Sequence, residues 1–457
     1  MFINEYIRYD VHGLAKLIKN QEVSAKEVLK CAQERLHEIN PILNAVVTDC
    51  FEFAHQCLAK MKGHEPYYGV PLLVKDLGHA MEGIRQTEGS HFFANNIGAA
   101  NSDLINKLIG LGFVPVAKTN TPELGLSYVT ESALWGPCRN PFDITRTAGG
   151  SSGGSAAAIV GGIAPIATAS DGGGSIRIPA ACCGLFGFKP TTGLIPSGPW
   201  VDELWSGMAT NFLLSRSIRD SIALFKNLVN TAPLTACSKK KKHLTISQLE
   251  GAFVDVAIAP ECLEAIEEIK KNLKNMGYEL NKVNLTLDLT SIGTCSLTLI
   301  AANTYAMVKA QELNIGRKPQ IDELEPITWE FYHRGKTLKA HELIAAKNRL
   351  YQLLRPLHEL LEKTDIILTP ALAQLPLLIG QLRTDEEFNT YLQKNIEFSP
   401  FTSLFNQAGL PAMTLPVMFQ KHLPVSIQMG AAKGNDLLLL ELANKLQPML
   451  PNVFSSL

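Results

Sequence analysis

Gly149-Gly150-Ser151-Ser152-Gly153-Gly154-Ser155 and, shortly after, Ser170-Asp171-Gly172-Gly173-Gly174-Ser175-Ile176-Arg177-Ile178-Pro179 are the two stretches on which the reading of this chain turns. Of the 34 glycines, 12 lie between Gly149 and Gly193, and no residue from Thr147 to Ser170 is charged. Glycine permits positive φ and close backbone approach at a cost in chain entropy, so such a concentration predicts backbone chemistry. The plain alternative for the first loop is a tight turn ahead of an alanine-rich helix beginning near Ser155. The uncharged run is long enough to cross a bilayer, but its Gly, Ser and Ala supply little transfer energy and its glycines disfavour a helix. No membrane span is predicted.

The two loops support different chemistry. Neither G-x-x-x-x-G-K-[ST] nor a strand-borne G-x-G-x-x-G occurs here, which disfavours nucleotide binding. Gly149 to Gly153 satisfies G-x-S-x-G, yet a nucleophile elbow must follow a strand directly, and Asn140-Pro141-Phe142-Asp143 reads as a turn. A Ser-His-Asp triad is also disfavoured, because His333, His358 and His422 sit in no distinctive context. The second loop is more specific. Three glycines before Ser175 can turn successive N–H groups toward one point, an anion-binding nest beside a hydroxyl. A serine hydroxyl needs a base, and without a suitable histidine that base is a lysine kept neutral by burial. Lys75, closing the apolar run Val70-Pro71-Leu72-Leu73-Val74, is the best-placed candidate; the competing reading pairs it with Asp76 or another acid.

Outward from the loops, helix and strand alternate. Ser24 and Glu27 form a capping-box pair ahead of Val28, Leu29, Ala32, Leu36 and Ile39, with a stop expected at Asn40-Pro41. Val70–Val74 and Phe113–Ala117 read as strands buried on both faces, separated by a helix over 102–111. Helices are expected over 220–229, 260–277, 339–361 and 436–446, and strands over 365–370, 411–417 and 423–428. This is an α/β pattern. Four lysines, Lys239 to Lys242, read as a solvated surface connection over about 230–245.

At 457 residues, 46% apolar and 19% charged, the chain can bury a large core. Its 42 Lys plus Arg against 43 Asp plus Glu give no global field favouring nucleic acid or an anionic membrane. Nine cysteines without a C-x-x-C pair disfavour a disulfide framework and a zinc site, and Cys182-Cys183 reads as packing rather than redox chemistry. With no signal peptide legible at Met1 to Arg8, a cytoplasmic protein is expected.

Lys75 and the two loops together resemble the amidase signature family over nearly the whole chain. The strongest match runs from Lys118-Thr119-Asn120-Thr121-Pro122-Glu123 through Gly136-Pro137 and Arg139-Asn140-Pro141-Phe142-Asp143 to Gly187-Phe188-Lys189-Pro190-Thr191. The resemblance implies one large α/β/α domain over 1–457 with a mixed central β-sheet flanked by helices, its signature core at about 65–195. It implies Ser175 as nucleophile, Ser151 as a bridging serine after a cis peptide, and Lys75 as base, with the family's spacing of 24 residues between the serines. It places Gly172, Gly173, Gly174 and Gly125 at the oxyanion and substrate-binding edge. Asp171 and Arg177 are expected to brace the nucleophile loop, and Ser152 either to orient Lys75 or to cap the following helix. Neither metal nor cofactor is implied; the partners are a small amide and water, with a homodimer left open.

Within the family, Ser170 to Cys183 and Thr328-Trp329-Glu330 through Arg334-Gly335-Lys336 look like the stand-alone aryl-amidase and 6-aminohexanoate-cyclic-dimer hydrolase group. The alternatives are a glutamyl-tRNA amidotransferase A-like subunit, disfavoured because Gly172 stands where those proteins usually carry threonine, and a non-hydrolytic binding scaffold. His422 and Ser426 replace usual glycines, in loops that could shape the pocket.

Overall fold

The computed structural model describes residues 1–229, 244–451 and 453–455. The connection at 230–243, with Cys237 and the lysine run, lies outside the described residues. Eleven strands form one sheet. In chain order they are β1 (Val46–Asp49), β2 (Val70–Lys75), β3 (Phe113–Thr119), β4 (Ile166–Asp171), β5 (Phe186–Lys189), β6 (Thr210–Ser215), β7 (Thr245–Glu250), β8 (Glu279–Asn284), β9 (Ile366–Pro370), β10 (Ala412–Gln420) and β11 (Leu423–Ala431). Across the sheet they run β1-β3-β2-β4-β6-β5-β10-β11-β9-β7-β8. The sheet is mixed: β3, β2 and β4 are mutually parallel, as are β9, β7 and β8, and antiparallel pairs join these two groups.

Every residue of β2 and β3 is buried, which is why both read as continuous apolar runs. Because β2 and β4 are parallel, their carboxyl ends lie on one side of the sheet, the side where open α/β sheets place ligands. Lys75 and Asp171 are the last residues of those strands. The helix Gly153–Val160 follows the first glycine loop and packs on β4.

Two local expectations are corrected. The helix capped by the Ser24–Glu27 box continues through Pro41 to Leu43 and closes at Asn44 with φ 50°. The helix expected over 339–361 is two, Ala340–Leu353 and Arg355–Leu361, because Pro356 enters the first turn of the second, where its missing N–H costs nothing. The turn read at Asn140-Pro141-Phe142-Asp143 is present: Pro141 and Phe142 join Arg139–Asn140 to Asp143–Thr147 in a short antiparallel ribbon closed by the Asn140 and Asp143 pair.

Leu289–Ile315, which has no clear signal in the sequence pattern, is the longest described helix and the one long and apolar enough to cross a membrane by length and composition. Within the fold it packs against Pro326–Thr337 and Ala340–Leu353.

Candidate active site

β2 delivers Lys75 into the interior, where it has no exposed surface. Its backbone N–H donates to Thr168 Oγ1 at 2.9 Å, and its Nζ lies 2.8 Å from Ser151 Oγ and 2.9 Å from Ser170 Oγ. The ion-pair alternative with Asp76 is excluded by geometry. Asp76 turns away from Lys75 and accepts from the Thr87 N–H and hydroxyl, with Lys118 Nζ 3.9 Å distant. Hydroxyls, not carboxylates, surround the Lys75 amine. Burial therefore pushes it down to about 7, against the opposing pull of the Asp171 and Glu88 charges.

The Gly150–Ser151 peptide is cis, in agreement with the family resemblance. Glycine is required at 150 by close approach: a Cβ there would stand 2.6 Å from Val129 O and 2.7 Å from Ser127 O. Ser152 fills neither role expected of it. Its hydroxyl donates to Ser170 O at 3.3 Å, no side chain caps the following helix, and its N–H donates to Ser175 O at 3.2 Å. Ser170 takes the place beside Lys75 instead, because it stands on β4, the strand next to β2.

The Ser175 loop is built on Asp171. One carboxylate oxygen accepts from the Gly174 N–H at 2.8 Å and the other from the Ile176 N–H at 3.1 Å. Arg177 grips both oxygens, at 2.9 and 3.0 Å, and also donates to Thr402 O, Gln428 Oε1 and Asn406 Oδ1. Both members of the pair are fully buried, and their remaining polar positions are filled, the condition under which a buried ion pair is sustained. Burial opposes ionisation of Asp171, but the Arg177 charge and hydrogen bonds prevail and hold the carboxyl at about 2. This is the bracing anticipated.

The donor set differs from expectation. The Gly174 N–H is committed to Asp171 and cannot serve the nest. Gly174 is still needed: φ is +132°, and a Cβ would lie 2.3 Å from Thr402 Oγ1. Among the described residues, the N–H groups of Gly173 and Ser175 have no protein acceptor. Asn406 and Gln428, far along the chain and unsuspected in sequence, complete the brace, with Asn406 Nδ2 donating to Asp171 O at 2.8 Å.

Gly125, Gly172 and Gly173 border a cavity of about 240 Å³ walled by Tyr128, Trp205, Phe253, Ile292 and Leu392. A Cβ on Gly125 would lie 3.3 Å from Ser151 Oγ, so this glycine joins the cavity to the bridging serine. His333 stacks on Trp329 and is no base for Ser175. His422 and Lys421 form a tight turn with φ 68° and 50°, which explains the usual glycine; neither they nor Ser426 line the cavity. The histidine near the site is His79, which sequence reasoning passed over. Burial drives it down to about 3, and it contacts Thr168 Oγ1, the group that holds the Lys75 backbone. Among the described residues no cluster of three His, Cys, Asp or Glu could hold a metal. Cys182 and Cys183 are buried free thiols whose pKa values burial raises, which suits packing.

Comparison with known proteins establishes the family. The Amidase family profile matches residues 27–440, and the chain belongs to that family. It is 31% identical to the 6-aminohexanoate-cyclic-dimer hydrolase of Paenarthrobacter ureafaciens, over 97% of this chain and 95% of the relative. It is 30% identical to the lipoamidase of Enterococcus faecalis over 94% of its own length but spans only 62% of that protein. Among solved structures, 6-aminohexanoate cyclic dimer hydrolase complexed with substrate superposes with a TM-score of 0.90 at 28% identity, covering 98% of both chains. A bacterial aryl acylamidase, at 0.83 and 22% identity over 98% of this chain and 96% of that one, shares the fold. The amidotransferase alternative is not favoured.

Proposed function

We propose that this protein hydrolyses a carboxylic amide through an acyl-enzyme on Ser175, with Ser151 relaying protons between Ser175 and Lys75. The observation that carries the reading is a fully buried lysine amine 2.8 Å from Ser151 Oγ. With a pKa lowered to about 7, roughly half of the Lys75 amines are neutral at pH 7 and can accept a proton.

In the first step Lys75 Nζ takes the Ser151 proton as Ser151 takes that of Ser175, and Ser175 Oγ bonds to the amide carbon. The carbonyl oxygen gains negative charge and is met by the Gly173 and Ser175 N–H groups, with Gly172 at the same edge. The proton then returns through Ser151 to the amide nitrogen, the C–N bond breaks, and the amine departs. That donation is the essential step, because an unprotonated amide ion is a poor leaving group. Water adds to the acyl carbon by the same relay in reverse, releasing the carboxylic acid and restoring Ser175.

A fluorophosphonate tests the assignment. Peptide mapping should find the label on Ser175, with labelling lost in Ser175→Ala and strongly reduced in Lys75→Ala. Full labelling of both variants overturns the mechanism.

A further inference from the structure

The walls of the cavity carry an instruction about substrate. Among the described residues lining it there is no Asp, Glu, Lys, Arg or His. Most of its polar lining groups are already engaged within the protein, the part-exposed Gln407 amide being the exception. Ser296 Oγ donates to Ile292 O at 2.8 Å, while Asn395 accepts from the Tyr128 N–H at 3.1 Å and donates to Tyr391 O at 2.8 Å. Apart from the neutral Gln407 amide, an occupant therefore finds apolar contact, on Trp205, Phe253, Ile292, Ile300 and Leu392. A charged group brought there would lose its hydration without gaining a counter-ion. The volume of about 240 Å³ gives room for roughly eight groups the size of a water molecule.

One residue keeps that room open. Gly293 lies inside the helix Leu289–Ile315 and lines the cavity, and a Cβ built on it meets nothing within 4 Å. Neither a turn nor a close backbone contact requires glycine there, and glycine weakens a helix interior. What it supplies is empty space.

We infer that the substrate's acyl group is an uncharged apolar chain or ring of roughly eight heavy atoms, with Gly293 setting the width of its pocket. The inference rests on Ser175 being the acylated residue. The acyl group is assigned because it stays through both steps, whereas the amine must leave before water attacks, so a pocket holding the acyl group does not block release.

The test compares ethyl, octyl and 7-carboxyheptyl fluorophosphonates on the full chain, reading the rate of Ser175 labelling. Each buried methylene contributes about fourfold, so octyl should label on the order of a hundredfold or more faster than ethyl. The carboxylate-tipped probe should fall back by a similar factor. In Gly293→Leu, which strengthens the helix and fills the space, the octyl-to-ethyl ratio should drop about tenfold or more. Equal labelling by ethyl and octyl, or a Gly293→Leu ratio like that of the parent, overturns the pocket assignment and leaves the nucleophile standing. Parallel hydrolysis of octanamide and N-octylacetamide assigns the chain: preference for N-octylacetamide overturns the acyl placement. Labelling of Ser175 by none of the probes overturns the catalytic reading itself.

Discussion

Asp171→Asn keeps the shape of the side chain and removes the charge on which the nucleophile loop is assembled. The amide would present a donor where a carboxylate oxygen now accepts from the Ile176 N–H or the Gly174 N–H, and Arg177 would stay buried without its counter-ion. Removing one member of a buried pair costs about 3–5 kcal/mol. The acid titration gives an independent scale. The Asp171 carboxyl is held at about 2 against an ordinary 3.8, and its stabilisation, complete above the unfolded value, is lost as the pH falls through the folded one. That difference corresponds to about 2 kcal/mol. Urea unfolding at pH 7 should therefore show a loss of several kcal/mol in the variant, shrinking toward pH 2. Catalysis should change in two ways. The plateau of kcat/KM should fall as the Ser175 loop loosens. The rising limb, which in the parent has its midpoint near 7, should move to lower pH, because the Asp171 charge holds the Lys75 proton on. A stability loss below about 1 kcal/mol, or a limb displaced to higher pH, would refute the reasoning.

Ser170→Ala removes one of the two hydroxyls at Lys75 Nζ; kcat/KM should fall about tenfold, with the limb moving to lower pH, since the lost hydroxyl oxygen favours the ammonium. Lys75→Met should lower kcat/KM on the order of 10²–10⁴-fold, read with the same amide at pH 8. The same variant should be more stable than the parent at pH 7. Folded Lys75 is neutral above about 7 while the unfolded lysine stays protonated up to 10.5, so parental stability rises with pH between those values. Denaturation curves across that range should show the slope fall by one proton's share, about 1.4 kcal/mol per pH unit, in Lys75→Met, with buried Lys189 still contributing its own.

Much of the site was legible because its parts obey local rules. β2 and β3 are apolar up to their carboxyl ends, Lys75 closes β2, and the charges of Asp171 and Arg177 interrupt an otherwise uncharged region. The capping box at Ser24 and Glu27 marks the start of its helix but not its end, since a proline can occupy the last turn of a helix about to close. β4 was hidden because Ile-Ala-Thr-Ala-Ser-Asp lacks β-branched density and adjoins a glycine-rich stretch. Without that strand, nothing in the sequence could choose Ser170 over Ser152 as the partner of Lys75. β7 and β8 stand at the sheet edge with polar residues that give little periodicity. Leu289–Ile315 packs on other helices and lines the cavity, which blurs its amphipathic pattern. The cavity gathers Gly125, Gly172, Trp205, Phe253, Ile292 and Leu392, and no spacing along the chain records that meeting.

The central claim is that Ser175 carries the acyl group. Acid quenching during turnover of octanamide or an octanoate ester, followed by peptide mapping, reads this directly. The account predicts an octanoyl adduct on Ser175, absent in Ser175→Ala. Undiminished turnover by Ser175→Ala, or an adduct on Ser151 in place of Ser175, would contradict it.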